Sequence, residues 1–129
     1  MKIIKEWGWE YIPVNNELYC LKLIFCENNI WSSGGLYHMH AVKDETFFVV
    51  DGELEIDIDG ESKIYKVMNN VRITPLTPHR FRSKWCQFLE VSTPDKPEDS
   101  IRGSREDLHY RIRQYRETSR TSSTGILWN

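Results

Sequence analysis

The sequence predicts an all-β domain, a sandwich or barrel of roughly eight or nine short strands. Apolar runs of strand length recur along the chain, and Asn-Asn, Asp-Gly and proline-containing turn signals separate them. No helical periodicity precedes residue 100. With 129 residues, the chain is long enough to bury one hydrophobic core and too short for two domains.

The N-terminal segment, residues 1–16, is predicted to be an extended arm. Aromatic residues alternate there with other types, the period of two expected of a strand with an aromatic face: Trp7, Trp9 and Tyr11. We expect this face to pack, either onto the barrel of its own chain or onto a second subunit. A stacking platform for single-stranded nucleic acid is disfavoured, because it requires a basic groove and Glu6 and Glu10 lie among the aromatics.

Residues 17–102 are predicted to form the barrel. After a strand at residues 18–27, we expect a hairpin whose strands, 45–50 and 53–59, are joined by the two-residue turn Asp51-Gly52. A second turn at Asp59-Gly60 leads into further strands, predicted at residues 62–68, 71–74 and 84–91.

The remaining residues, 103–129, are predicted to be a basic, polar C-terminal extension with a short helix or tail. Ser104 followed by Asp107 is a weak capping box, which would begin a helix that runs as far as Glu117. Five arginines lie in this segment, interrupted by acidic residues. Such a pattern is typical of a solvated helix face, with nucleic-acid binding as the alternative.

The composition narrows the class of protein. Hydrophobic residues make up 40% and charged residues 28%, and the net charge of −2 does not favour nucleic acid as a partner. No apolar run is long enough for a membrane span, and the N-terminus lacks the apolar core of a signal peptide. The three cysteines have no metal-like spacing and indicate reduced, buried thiols, so we expect a cytoplasmic protein without membrane association.

The chemically distinctive stretch contains His38-Met39-His40. Two histidines two apart on an extended segment present both imidazoles on one face of a strand. Glu45 follows where the next apolar run begins, and His79 lies at the start of another strand-like run. Three imidazoles and a carboxylate form a mixed nitrogen and oxygen donor set that suits a divalent metal such as Mn, Fe, Co, Ni or Zn. The sequence therefore predicts a site for one such ion.

This series resembles the two motifs of the cupin family. The first motif is glycine, His-x-His, a spacer of three or four residues, glutamate, six residues and glycine, and the chain follows it from Gly35 through Glu45 to Gly52. The second motif is glycine, five residues, Pro-x-Gly, two residues and histidine, of which only Pro75 and His79 are matched.

The resemblance implies a single cupin-type jelly-roll β-barrel with a metal inside it, near one end. Asn69 and Leu76 stand where the second motif has its glycines, and asparagine can replace glycine in a left-handed conformation at modest cost. Carried over residue by residue, the family's metal ligands are all present: His38, His40, Glu45 and His79.

Residues 43–54 and 88–94 are similar to the corresponding stretches of the cupin sugar isomerases related to D-lyxose and mannose-phosphate isomerases. That resemblance implies an isomerase or epimerase of a sugar or sugar phosphate, acting through an enediolate that the metal stabilises. The general base would be Glu90, which either turns into the barrel with a raised pKa or lies exposed at an edge. Substrate contacts are predicted from Lys43, Arg72 and Arg80, with ordinary surface charge as the alternative.

Two other functions are compatible with the same residues. One is an Fe(II)-dependent dioxygenase-type cupin, and the other is a non-catalytic barrel that binds a small molecule such as a sugar. The ligand set alone does not choose among these functions. The aromatic N-terminal segment and the family resemblance also imply a homodimer, which is compatible with all three.

Overall fold

The computed structural model describes residues 2–127, with side chains described for residues 2–119. Within this range the chain forms ten strands and one helix: β1 (Lys2–Lys5), β2 (Gly8–Asn15), β3 (Cys20–Glu27), β4 (Tyr37–His40), β5 (Glu45–Ile58), β6 (Glu61–Lys66), β7 (Asn70–Ile73), β8 (His79–Arg82), β9 (Trp85–Ser92), β10 (Ser100–Gly103) and α1 (Arg105–Leu127). Two short 3-10 turns, Ser32–Gly35 and Pro97–Asp99, precede β4 and β10. The all-β prediction is confirmed.

All strand pairs are antiparallel and belong to one curled sheet. The order is β1-β2-β3-β9-β5-β8-β4-β10, and β6 and β7 each pair with β5. The main core lies between the two halves of the curled sheet, where Phe47, Phe81 and Phe88 pack with their ring centroids 5.1 to 6.1 Å apart. The ends of the sheet, β1 and β10, pair with one neighbour each, so the barrel is open between them.

The prediction of a hairpin turn at Asp51-Gly52 is wrong. β5 continues through these residues for 14 positions; its first part pairs with β7 and β9, and its second part pairs with β6 and β8. The register with β9 shifts between Val49 and Asp51, which marks a β-bulge. Gly52 has a φ of 78°, so the Asp-Gly signal reflects a bend that carries one strand from one half of the sheet to the other.

Gly52→Ala is expected to destabilise the protein more than Gly34→Ala, by about 1–3 kcal/mol. Both glycines have positive φ, so the backbone strain of alanine is similar at the two positions. A Cβ at Gly52 would lie 2.3 Å from the Trp85 carbonyl oxygen, whereas a Cβ at Gly34 would meet nothing within 4 Å. Urea denaturation of the two variants measures the difference, and equal free energies of unfolding would contradict the close approach.

The predicted N-terminal arm is β1 and β2, and both belong to the sheet. Trp7 precedes β2 and packs in the core against Phe81, with the ring centroids 5.0 Å apart. Trp9 lies on the outer face of β2 and stacks on Phe25 of β3. The prediction that all three aromatic residues share one face is therefore wrong. Gly8, at a φ of 148°, directs Trp7 inward before the alternation of β2 begins.

The turns agree only partly with the glycine positions of the family motif. Asp59 and Gly60 form the predicted turn, both at positive φ. Met68, at a φ of 75°, takes the left-handed conformation expected of Asn69. Leu76, where the motif has its second glycine, is also left-handed with a φ of 58°, and its N–H donates to the His40 carbonyl at 2.7 Å. That hydrogen bond helps to offset the strain of a branched side chain in this conformation.

The helix α1 covers the outside of β4. The predicted cap is confirmed, since the Asp107 N–H donates to the Ser104 hydroxyl at 3.1 Å. Leu108 and Ile112 are buried against Tyr37 and Met39 of β4. The helix extends past its predicted end because no proline or glycine interrupts residues 105–124. The last two residues of the predicted C-terminal extension, 128 and 129, lie outside the described range.

The three cysteines are free and buried, as predicted. Burial raises the pKa of Cys26 and of Cys86 to about 12, so both remain protonated thiols at neutral pH. No helix within residues 2–127 is long and apolar enough to cross a bilayer.

Candidate metal and substrate site

Three strands bring together the four residues predicted as metal ligands. On β4, His38 and His40 face the inside of the curled sheet, while Tyr37 and Met39 face α1. His79, the first residue of β8, is the cross-strand partner of His38, and the centroids of their rings are 4.1 Å apart. Glu45, the first residue of β5, lies beneath them and is 2% exposed.

The Glu45 carboxylate stands between two imidazoles. Its Oε2 atom is 3.5 Å from His40 Nε2 and 3.4 Å from His79 Nε2. His79 is held by its other ring nitrogen, because Nδ1–H donates to the Thr77 carbonyl at 2.8 Å. That contact places the ring proton on Nδ1 and leaves the lone pair of Nε2 directed towards Glu45, the orientation that metal-binding histidines adopt.

Three buried atoms of this group have no hydrogen-bond partner among the described residues: His40 Nδ1, Glu45 Oε2 and His79 Nε2. An imidazole lone pair and a carboxylate oxygen are both acceptors, so a proton or a cation is needed to satisfy them. Among the side chains of residues 2–119, no cluster of such groups already has the compact arrangement of an assembled metal centre. The unpartnered acceptors and the nitrogen and oxygen donor types nevertheless fit a divalent transition metal.

The electrostatics keep the histidines uncharged. Burial lowers the pKa of His40 and of His79 to about 4, and burial together with the neighbouring imidazoles lowers the pKa of His38 well below its usual value. All three are therefore neutral at pH 7, the state in which imidazole binds a metal. Burial and the nearby Glu90 raise the pKa of Glu45, which favours a proton on this carboxyl when no cation is bound.

A buried ion-pair network adjoins the histidines. Glu90 of β9 faces inward and is 5% exposed, which decides between the two predicted orientations. Lys43 is only 2% exposed, and its Nζ atom donates to Glu90 at 2.9 Å and to Asp95 at 2.8 Å. Lys22 contacts Asp95 at 3.2 Å from the neighbouring strand β3. Lys43 is therefore a buried counter-ion and not a solvated loop lysine.

This network sets the charge states of its own members. Burial opposes the charge on Lys43, but Glu90 and Glu45 outweigh that effect and raise its pKa. Burial likewise opposes the charge on Glu90, and Lys43 and Lys22 outweigh it, so its pKa is lowered. Glu90 was predicted to have a raised pKa if it turned inward, and that prediction is wrong because two lysines lie beside it. The cavity thus holds an ionised carboxylate at neutral pH.

The core of the chain, residues 32–91, matches the family model described as the cupin domain. The protein has the cupin fold. The match extends from the 3-10 turn before β4 into β9, and so includes His38, His40, Glu45, His79 and Glu90. No curated protein matches the chain in sequence.

Solved structures similar to this chain share the fold at low sequence identity. The KdgF protein from Halomonas sp. is 13% identical, with a TM-score of 0.64, covering 74% of this chain and 86% of that one. The Streptomyces protein Pac13, described as a nucleoside dehydratase, is 13% identical with a TM-score of 0.68, covering 81% and 84%. An RmlC-like cupin from Shewanella frigidimarina is 14% identical with a TM-score of 0.64, covering 76% and 86%. These likenesses establish the fold alone.

Two of the predicted substrate-binding residues lie outside the cavity that His38 and His40 line. Arg72 is 67% exposed and pairs with Asp44 on the surface, Nε to Oδ1 at 3.0 Å. Arg80 donates to Asp57 at 3.0 Å and to the Gly35 carbonyl at 2.8 Å. Both follow from strand alternation, because neighbouring residues on a strand face opposite sides and His79 takes the inward position beside Arg80.

A cavity of about 710 Å³ opens in front of the histidines and the ion-pair network. Its lining includes charged residues that are not among the predicted site residues: Lys5, Glu10, Lys22, Asp95, Lys96 and Arg102. One of them carried a usable signal. Every second residue of β3 faces inward, and Lys22 occupies the inward position between Cys20 and Ile24. The alternation along this strand therefore indicates a charged side chain inside the barrel.

Proposed function

We propose that this cupin is a metal-dependent enzyme that isomerises or epimerises a sugar or sugar derivative in the cytoplasm. The observation that carries the proposal is the ionised, inward-facing Glu90 carboxylate, which shares one cavity with His38 and His40. A cavity of about 710 Å³ is large enough for a small sugar derivative. A base beside a cation site is the arrangement required to move a proton at a carbon next to a carbonyl.

The four converging residues would hold one divalent metal, Mn, Fe, Co, Ni or Zn: His38, His40, Glu45 and His79. When bound, such an ion polarises a carbonyl or hydroxyl oxygen of the substrate and so acidifies the adjacent C–H bond. The three neutral imidazoles supply the nitrogen donors. The Glu45 carboxyl must lose its proton to serve as the oxygen donor, and the cation then takes the place of that proton.

The protein supplies the proton transfers. Glu90 accepts the proton from carbon 2 of an aldose, while the electrons of that C–H bond move to form the enediolate. The hydroxyl proton moves from oxygen 2 to oxygen 1, and Glu90 returns its proton to carbon 1, which gives the ketose. Lys43 stays charged throughout because Asp95 and Glu45 remain beside it, and its ammonium offsets the negative charge that develops on the substrate.

A second candidate is a non-catalytic cupin that binds a sugar. The contact that favours it is the 2.9 Å ion pair between Lys43 and Glu90, because a carboxylate held by an ammonium is a weaker base. In that case the network would only recognise hydroxyl groups. The two candidates differ in whether a carbon-bound proton exchanges with solvent.

Metal binding is expected to be lost in His79→Ala and retained in His109→Ala. His109 is a matched control, because it lies on α1 and contacts Asp59, away from the cavity. The measurement is titration of metal-free protein with Co(II), followed by visible absorption, and metal analysis of the purified protein. Equal metal binding by both variants, or no binding by the wild type of any of the five ions, would contradict the metal site.

Isomerase activity is tested with the metal-loaded protein and a panel of aldoses and their phosphates in deuterium oxide. The expected result is a ketose that carries deuterium at carbon 1, detected by NMR, without consumption of dioxygen. Consumption of dioxygen that depends on Fe(II) would favour the dioxygenase-type alternative. A sugar that binds without any exchange would favour the binding protein.

We also propose a homodimer in which a second copy covers the outer face of the sheet. An uncharged row crosses four strands there in register: Tyr11, Leu23, Leu89 and Phe48. Leu23 is 37% exposed and Val91 beside it is 52% exposed, so a partner would remove apolar surface from water. Sedimentation equilibrium should give twice the 15.4 kDa chain mass, and a monomer at micromolar concentration would refute the dimer.

A further inference from the structure

The opening of the cavity lies between β1 and β10. β1 and β10 are the ends of the strand order, and residues of both strands line the cavity. Each edge contributes a basic side chain, Lys5 from β1 and Arg102 from β10, and Lys96 adds a third from the loop before β10. Three cationic groups from separate parts of the chain therefore line one opening.

These three side chains differ from the lysines deeper in the cavity. Lys22 and Lys43 are buried and pair with carboxylates, whereas Lys96 and Arg102 are exposed. Among the described residues, neither Lys5, Lys96 nor Arg102 forms a salt bridge within 4.0 Å or a side-chain hydrogen bond. The donors of these side chains are therefore available to a ligand.

The acidic residues that line the cavity do not balance this charge. Glu90 and Asp95 are paired with Lys43, and Glu10 lies 3.8 Å from Lys22. Glu6 is the one remaining acidic side chain of the described lining. The opening therefore carries three cationic groups against one carboxylate, whereas the interior carries Lys22 and Lys43 against three carboxylates. The positive excess is confined to the opening, where it attracts an anionic ligand.

Arg102 is also placed beside the candidate metal site. It is the cross-strand partner of His38, so the two side chains project from adjacent strands on the same face. Neighbouring strands are about 4.8 Å apart. A sugar whose anionic group is bound by the Arg102 guanidinium would therefore be long enough to reach the histidines.

We propose that the opening between β1 and β10 is an anion-binding subsite, in which Arg102, assisted by Lys5 and Lys96, binds a phosphate or carboxylate group of the substrate. The planar guanidinium suits either group, because both present two oxygens to a fork of N–H donors. The assignment of this anion to a sugar rests on the proposed function. The substrate class is then an anionic sugar, either a sugar phosphate or a sugar acid.

Binding of inorganic phosphate tests the subsite without any turnover. In titrations by calorimetry at low ionic strength, Arg102→Gln is expected to weaken phosphate binding about tenfold or more relative to wild type. Arg72→Gln is the matched control, because it removes the same charge from a surface position outside the cavity lining. Equal phosphate affinity in the two variants, or no phosphate binding by the wild type, would overturn the subsite.

The source of the anionic group is tested with glucose 6-phosphate, glucuronate and glucose. Tighter binding of the phosphate or of the acid than of the neutral sugar, lost in Arg102→Gln, supports the proposal and identifies which anion is preferred. Equal binding of all three sugars overturns it. Phosphate binding that depends on Arg102, without conversion of any sugar, would leave the subsite standing while the proposed isomerase function fails.

Discussion

Glu90→Gln is expected to reduce turnover by about 10²–10⁴-fold, the range that a general base contributes, while substrate binding persists. Glutamine has nearly the same shape as glutamate but cannot accept the carbon-bound proton. It can still accept a hydrogen bond from Lys43, which stays paired with Asp95 at 2.8 Å. The measurement is the deuterium incorporation described above, together with the dissociation constant of the same sugar.

The control for this variant is Glu61→Gln, an exposed carboxylate on β6 outside the cavity lining. It should leave turnover unchanged. The pH profile gives a second readout, because Lys43 and Lys22 lower the pKa of Glu90 and the acid limb of activity should therefore lie below the usual range of a glutamate. Full turnover in Glu90→Gln would exclude Glu90 as the base.

Lys43→Met is expected to lower the free energy of unfolding by about 3–5 kcal/mol at pH 7. Three carboxylates face this ammonium: Glu90 at 2.9 Å, Asp95 at 2.8 Å and Glu45 at 3.9 Å. Methionine fills a similar volume without charge, so the carboxylates would remain buried and lose their main counter-ion. Lys63→Met, at an exposed position on β6, is the control and should have little effect.

The destabilisation by Lys43→Met should become smaller as the pH falls towards about 4. In the wild type, Lys43 and Lys22 lower the pKa of Glu90, so the stability contributed by this group is present at neutral pH and is lost on acidification. In the variant, a buried Glu90 with less compensation has a higher pKa and is stabilised by taking up a proton. Denaturant unfolding of the wild type and of Lys43→Met at pH 7 and pH 4.5 measures the free energy of unfolding of each protein. If the difference between the two proteins did not change with pH, the role given to the ion pair would be contradicted.

The alternation of side chains along a strand explains which of the predicted substrate-binding residues lie inside the cavity. Lys43 enters the cavity from the segment between β4 and β5, and Glu90 enters from an inward position of β9. Arg72 and Arg80 lie next to Ile73 and His79, which are buried, so alternation turns both arginines outward. The sequence shows the alternation of side chains along each strand. It does not show which of the two alternating sets faces the core, because that depends on how the strand packs in the fold.

The sequence by itself determined the all-β class and the convergence of the four candidate metal ligands. The spacing of His38 and His40 on one strand is a local property, and the family motif relates it to Glu45 and His79. Capping by Ser104 and the turn at Asp59-Gly60 are also local, which is why both were predicted correctly. Each of these features depends on residues close together in the chain or on a recognised motif.

Only the tertiary structure decided the environment of those residues. Lys43 meets Glu90 and Asp95 across about fifty positions of chain, and Arg102 meets the histidine strand through the pairing of β10 with β4. The bend at Gly52 likewise follows from tertiary pairing, because the first part of β5 pairs with β9 and its second part pairs with β8. Antiparallel pairing joins segments that are remote in sequence, and burial then sets their charges, so neither the ion-pair network nor the basic opening is visible in local spacing.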